Sequence, residues 1–392
     1  MLVNENLIRY IKYFVKLHRI WGTCPLKFDP SSETLSLTSK SRQIWELFKT
    51  ITYSVCGVIL WYQLLYVSRE EDLAIRLISW LIAVGTMVCA LSKWELIKKK
   101  EEFMELFNLF VKFEHRHAEE LKDLPVPKWE SRFMKGVSLY AIVRAPGIVT
   151  LFSFQRWYGP CNSIQLGYFA IPECQSGDPN VEWSTISSII VFLLIFLMNW
   201  LHDDGMGCFA FWLLDLSFIQ GYCFMRYLQQ FERQLSSSTK NDRFELYREL
   251  QVLNRYYNLT QQKQLIPATI IYMQLLFITG VYEIVALGYS RIGTVGILWC
   301  AEIAGESFVI DLVYSSMQSK VHVMSKDGIR AITERIVPGL SDRRKRRWLQ
   351  RYTRSLQPLK TFIGTVNYMD EETPLNLLNF CVNQIVSLLM AR

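Results

Sequence analysis

A predominantly apolar run long enough to cross a bilayer leaves a chain few options, because every backbone N–H and C=O inside lipid must be satisfied within the segment. This chain has several such runs. The spans read from the sequence are Ile51 to Val67, Leu73 to Leu91, Phe133 to Phe154, a compound stretch from Ile186, Ala268 to Tyr289, Val295 to Met317, and Leu375 to Ala391. Core strands and helices of soluble domains are usually shorter. Hydrophobic residues are 51% of the 392 and charged residues 20%, below the roughly one quarter usual for soluble domains. The expected fold is all-α: a polytopic membrane protein.

The distribution of Lys and Arg sets the topology. Eight fall in residues 1–50, nine in 92–132, seven in 225–267 and twelve in 318–374, against one each in 68–72, 155–185 and 290–294. Cytoplasmic segments carry the excess of basic residues. The compound stretch holds two apolar halves, Ile186 to Leu201 and Met206 to Phe224, separated by His202-Asp203-Asp204-Gly205. Counted as one crossing, it puts every basic segment on the cytoplasmic side; counted as two, it splits them. Seven crossings follow, with the N-terminus cytoplasmic and the C-terminus extracellular. The second half of the compound stretch then continues as a long helix into the cytoplasm, to about Leu235. A net charge of +7 with its basic residues confined to such loops speaks for a membrane orientation and not for nucleic acid.

Residues 1–50 read as a cytoplasmic N-terminal amphipathic segment, with no signal-peptide cleavage site. The long outer loop 155–185 carries Cys161 and Cys174, which would face an oxidising compartment and could form a disulfide. The sequon Asn258-Leu259-Thr260 falls on the cytoplasmic side and should be silent. No Gly-rich phosphate loop, His-Glu-x-x-His or nucleophile elbow occurs. His115-x-His117 and His202-Asp203-Asp204 lack the further ligands a metal needs, and the latter reads as the place where the fourth helix leaves the membrane. The expectation is a non-enzyme without metal or cofactor. The basic run Asp342 to Trp348 reads as a solvated or lipid-facing segment.

The last span is patterned. Asn376, Asn379, Asn383 and Ser387 are spaced 3, 4 and 4 apart and form one narrow stripe, with Leu377, Leu378, Val382, Ile385, Val386 and Leu389 around the other faces. Such a stripe either hydrogen-bonds to neighbouring helices or lines a water-filled path. Charges inside other spans are the second clue. Arg144 lies mid-way along the third span beside Pro146-Gly147; Glu302 and Glu306 share a face of the sixth while Asp311 points elsewhere; Glu283 is in the fifth. Glu302 and Glu306 fall roughly 10 to 17 Å below the outer surface at 1.5 Å per residue. Trp299 adds an aromatic wall beside them. Together with Arg144 they could form a site for a polar ligand, or Arg144 could pair structurally with a glutamate.

Seven spans with a cytoplasmic N-terminus, a long fourth helix and a polar-striped last span resemble the insect gustatory and odorant receptor superfamily. Two local stretches add to the likeness. His18-Arg19-Ile20-Trp21-Gly22-Thr23-Cys24-Pro25-Leu26 is similar to the leader of gustatory receptors, with Trp21 in place of Leu, and Tyr227 to Leu235 (YLQQFERQL) is similar to the end of their fourth helix. The family motif of the last span is Thr-Tyr, five apolar residues, then Gln-Phe. Its spacing lies over Asn383-Gln384, Ile385 to Leu389 and Met390-Ala391, with all four marker residues replaced.

The resemblance implies a chemosensory receptor of gustatory type in the plasma membrane, acting as a tetrameric ligand-gated cation channel. Asn376, Asn379, Asn383, Ser387 and Met390 would line the pore, and a small-molecule tastant or odorant would bind in the outer half between helices two, three, four and six. Membrane lipid, and either identical or related subunits, would be the other partners. The chain then divides into the N-terminal segment 1–50, six spans with the ligand-binding bundle in 51–317, a cytoplasmic anchor in 318–374 and the pore helix in 375–392. A G-protein-coupled receptor, with its N-terminus outside, and a membrane-embedded lipid transferase using His202 and the aspartates are the alternatives.

Overall fold

The first helix shows which solvent the chain is built for. Helix α1 (Lys40–Tyr62, continued by a π-helical turn Gln63–Val67) exposes Ile44, Phe48, Ile51, Val55, Val58, Tyr62 and Leu65 along one face. Its opposite face buries Glu46, Lys49, Thr50 and Tyr53. Charges inside and hydrocarbon outside invert the pattern of a water-soluble helix and fit one bathed in lipid. The computed structural model describes residues 25–67, 73–118, 185–210, 220–237 and 242–391, with four single positions between 121 and 136.

Before α1 comes a small antiparallel hairpin, β1 (Leu26–Asp29) with β2 (Thr34–Leu37), which tucks Leu26, Phe28 and Leu35 into the core. Then follow α2 (Leu73–Lys98), α3 (Lys100–Arg116), α4 (Thr185–Ala210), α5 (Gln220–Ser237), α6 (Asp242–Gln261) and α7 (Leu265–Tyr282, with a π-helical turn Glu283–Leu287). Helix α8 (Gly288–Ala331) runs for 44 residues, and α9 (Arg343–Ser355), a second hairpin of β3 (Phe362–Ile363) and β4 (Asn367–Tyr368), and α10 (Thr373–Met390) complete the described chain.

Four helices among the described residues are long and apolar enough to cross a membrane: Lys40–Tyr66, Ser79–Lys98, Leu265–Leu287 and Thr373–Met390. They coincide with four of the spans read from the sequence. The expected third span, Phe133 to Phe154, lies outside the described residues. The helical membrane fold expected from the sequence is thus the one observed, with two short hairpins in addition.

The largest departure is at the ends of the spans that carry Lys49, Lys93 and Asp204. Helix α1 begins at Lys40 rather than Ile51, and α4 runs unbroken through His202-Asp203-Asp204-Gly205. Lys49 and Lys93, which read as loop charges, are instead buried with Glu46 and Asp204, each no more than 4% exposed. The Lys49 ammonium lies 2.8 Å from Glu46 and 3.3 Å from Asp204, and Lys93 contacts Asp204 directly and stands 3.9 Å from Glu46. Two cations and two anions cancel, which is what allows them to sit away from water.

Helix α8 is about 66 Å long at 1.5 Å per residue, roughly twice a bilayer's hydrocarbon. Its first half packs on α7, where a Cβ on Gly280 would lie 2.8 Å from the carbonyl oxygen of Cys300 and 3.0 Å from the Ala304 side chain. Only glycine permits that approach. Its second half packs with α5 and α6, through Phe231, Tyr247, Leu250 and Tyr257, into a buried core continuous with α3. There the Tyr227 hydroxyl donates to Glu114 at 2.7 Å, and burial pushes its phenol well above the ordinary range, keeping it a donor.

The segment between α9 and α10 has almost no regular structure, yet it is tied down. The carbonyl of Gln357 accepts from Tyr247 and Gln251, and that of Lys360 from Asn254 and Asn258. Leu359 donates its N–H to Ser325 and accepts from the ring N–H of His322, and Phe362 N–H donates to Asn258. Side chains of α6 and α8 thus do for this strap what a sheet ladder does elsewhere. The sequon residue Asn258 is 5% exposed, with its amide nitrogen engaged by the Asn254 and Lys360 carbonyls. Helix α9, capped by Asp342, buries Leu349 and Thr353 and leaves its arginines and Trp348 exposed.

The charge cluster makes a testable prediction. Asp204→Asn strips one anion from a neutral foursome, and breaking a buried pair in this way costs about 3–5 kcal/mol. Thermal unfolding of the purified protein should show a lowered midpoint for Asp204→Asn, and a partial recovery when Lys93→Met is added. Equal midpoints for wild type and Asp204→Asn would show that the cluster contributes nothing.

Candidate functional site

Helix α10 is started by a reciprocal cap. Thr373 N–H and Oγ1 both donate to Asp370 Oδ1, at 3.0 and 2.7 Å, and Asp370 N–H donates back to Thr373 Oγ1 at 2.9 Å. Pro374 follows in the first turn, where its missing N–H costs nothing. One stripe of the helix docks on the bundle: Cys381 and Ile385 are buried against Ile278, with Phe277, Val281 and Leu389 around them.

The opposite stripe is the polar one. Asn376, Asn379, Asn383 and Ser387 are all exposed, as is Met390. The Asn383 amide donates to Asn379 Oδ1 at 3.4 Å, and Ser387 Oγ donates to the Asn383 carbonyl at 2.8 Å. The stripe finds its partners along itself and makes no hydrogen bond to another described helix. Only 17% of this span is buried, against 39 to 56% for the other three. Polar side chains on the open side of an apolar helix are unfavourable against lipid alone.

The predicted ligand residues separate. Along α8, Glu302 is exposed, while Trp299 and Glu306 are half-buried. Arg144 lies outside the described residues, as do Cys161 and Cys174. Sequence reasoning missed the polar contact nearest to this group. Glu283 is fully buried at the π-helical turn that follows α7 and accepts from Cys300 Sγ at 2.8 Å, next to Trp299 in the chain. Glu283 was visible as a charge in a span, but no spacing rule links it to a thiol on the following helix.

The first histidine motif, His115-x-His117, meets carboxylates. His115 faces Glu33 at 3.7 Å, His117 faces Glu249 at 3.2 Å, and Arg116 also contacts Glu249. Among the described residues no group of three or more His, Cys, Asp or Glu side chains could hold a metal ion. Asp204 belongs to the charge cluster between α1, α2 and α4.

No protein-family model matches the chain, and no curated protein matches it. Solved structures do. Against the insect olfactory receptor OR5 from Machilis hrabei the TM-score is 0.59 at 14% identity, covering 98% of this chain and 99% of that one. Against the same receptor in complex with eugenol it is 0.61 at 14% identity, covering 98% of each. The likeness runs through the whole helical membrane fold.

The exposure pattern of α10 predicts a labelling pattern. Cysteines placed at Asn379, Asn383 and Ser387 should react with a membrane-impermeant thiol reagent in the assembled protein, and cysteines at Leu378 and Ile385 should not. Equal reaction on both stripes, read by mass shift, would remove the distinction between an open face and a docked one.

Proposed function

We propose that this chain, which has the fold of the insect olfactory receptors, is a divergent member of the insect odorant and gustatory receptor superfamily and works as a ligand-gated cation channel in the plasma membrane. The observation that carries the reading is the open polar stripe of α10. One stripe cannot enclose a path for ions, but four copies around an axis can, with the docked stripe of each helix turned outward to its own bundle. Neutral amides and a hydroxyl would replace part of an ion's hydration without binding it tightly, as conduction requires.

The gustatory subtype, the cytoplasmic N-terminus and the tetramer are parts of this proposal. The asymmetry of Lys and Arg supports the orientation. The charge cluster agrees with it: Lys49, near the start of the first span, meets Lys93, at the end of the second, and Asp204, late in the fourth. Those three positions share a level when successive spans alternate in direction, which supports the order of the crossings and leaves the choice of side to the Lys and Arg asymmetry. The ligand would be a small organic molecule, a tastant or an odorant, as eugenol is in the OR5 complex. Trp299, Glu302 and Glu306, with Arg144 from the third span, are the residues proposed to meet it, and they favour a ligand with polar groups.

Three measurements test the proposal. Currents recorded from cells expressing the chain should change their cation permeability ratios when Asn383→Asp adds a ring of charge, whereas unchanged ratios would take α10 out of the pore. Glu302→Gln and Trp299→Ala should raise the ligand concentration needed for activation and leave the ratios alone. An epitope after Arg392 should be reachable on intact cells and one before Met1 should not; the reverse would restore the G-protein-coupled reading.

A further inference from the structure

Helix α9 carries seven Lys and Arg and no Asp or Glu in 13 residues. Arg343, Arg347, Arg351 and Arg354 are spaced 4, 4 and 3 apart, which sets them on one stripe about 16 Å long. The docked face, with Leu349 and Thr353 buried, lies opposite. All four arginines are exposed, as is Arg344 beside them, and none of the five forms an ion pair among the described residues. Arg346, by contrast, donates to the carbonyls of Pro338 and Leu340. Glu334, on the π-helical turn Ile332–Ile336 that α9 touches, is taken by Arg330 at 2.6 Å. Like charges one turn apart destabilise a helix, so the stripe is a standing cost that an anionic partner removes.

The place of the stripe decides which anion that is. The Tyr352 hydroxyl donates to the Phe244 carbonyl at 2.8 Å, which fixes α9 to the start of α6. Helices α6 and α7 run in succession along α8: the Tyr257 and Tyr314 hydroxyls lie 3.3 Å apart, and Gly280 abuts Cys300. Phe244 therefore stands about 30 Å from Leu265, where the membrane-crossing length of α7 begins. The field of an anionic leaflet fades over a Debye length of about 8 Å, so lipid headgroups do not reach α9. A second copy's α9 would set arginine against arginine. A compact polyphosphate needs cations that converge, and these follow a line. Arginines one turn apart match carboxylates one turn apart on a facing helix, each guanidinium fork taking both oxygens. Beside the stripe, Trp348 is 53% exposed yet held in place, stacked on Tyr352 at 5.3 Å and edge-on to Phe244 at 6.3 Å. A fixed, half-open indole is an anchor for an apolar side chain.

We propose that the open face of α9 is a docking surface for an acidic amphipathic helix of another protein. Its carboxylates, one turn apart, pair with Arg343, Arg347, Arg351 and Arg354, and an apolar residue on the same helix packs against Trp348. The surface lies at the end of the molecule away from the bilayer and does not depend on α10 being a pore.

The test uses the purified full-length protein in phosphatidylcholine nanodiscs and a fluorescein-labelled helical peptide with glutamate at every fourth position and one phenylalanine. Fluorescence anisotropy should show saturable binding of this peptide and none of its glutamine counterpart. Arg347→Glu with Arg351→Glu should weaken binding at least about tenfold. The same charge change at the exposed Lys112 and Lys326, both to Glu, should weaken it less than about twofold. Arg347→Gln with Arg351→Gln serves if the reversed pair fails to fold, and Trp348→Ala should weaken binding without altering its salt dependence. Equal losses in the α9 and control variants would reduce the effect to net charge and overturn the proposal. So would loss of peptide binding in discs containing phosphatidylserine, which would show lipid covering the helix, or tighter binding of single-stranded RNA through the same arginines.

Discussion

Four charges withdrawn from water hold three helices to one another. Glu46, Lys49, Lys93 and Asp204 come from α1, α2 and α4, and none could be buried without the others. Hydrophobic burial cannot align helices in lipid, because the surrounding tails are as apolar as the side chains. A neutral cluster at one level can, since sliding any helix by a turn would leave a charge alone. The outward faces are then free to be Ile, Val and Phe, as they are along α1 and the first half of α4. Elsewhere close backbone approach plays this part, at Gly280 against α8.

Much of this was legible in the sequence, and what was hidden was hidden for a common reason. Apolar length located α1, α2, α7 and α10, and the spacing of Asn376, Asn379, Asn383 and Ser387 marked one face that the structure leaves open. The span ends that carry Lys49 and Lys93 were misjudged because a lysine in a linear sequence reads as a solvent-exposed residue. Glu46 lies one turn from Lys49, but the two lysines are neutralised together only with Asp204, more than a hundred residues on from either. The same holds for Glu283 with Cys300: the partner lies on another helix, and periodicity speaks only within one. The strap from Leu356 to Phe362 was invisible for the converse reason. It has no pattern of its own, since its hydrogen bonds are supplied by Asn, Gln, Tyr, Ser and His on α6 and α8.

That strap determines where α10 can be. The helix docks on a narrow stripe and has little burial of its own, so its position is inherited from both ends of its connection. Ahead of the helix the connection is fixed to α6 and α8, then passes through a hairpin into the Asp370–Thr373 cap. Helix α8 reaches from the bundle to the strap as one element of 44 residues. A movement near Trp299 and Glu302 therefore has a continuous path to the start of α10 without crossing a flexible linker.

Asn258 carries a consequence for biosynthesis. Its side-chain nitrogen is the atom an oligosaccharyltransferase would modify, and in the folded anchor that atom holds the Lys360 carbonyl at 2.7 Å. A nascent chain that presented the sequon to the lumen of the endoplasmic reticulum would do so before the strap could close over it. A glycan there would occupy the nitrogen permanently and keep the segment from seating. Closure of the strap over α6 and glycosylation of Asn258 therefore exclude each other, and whichever comes first decides whether α10 has a fixed start.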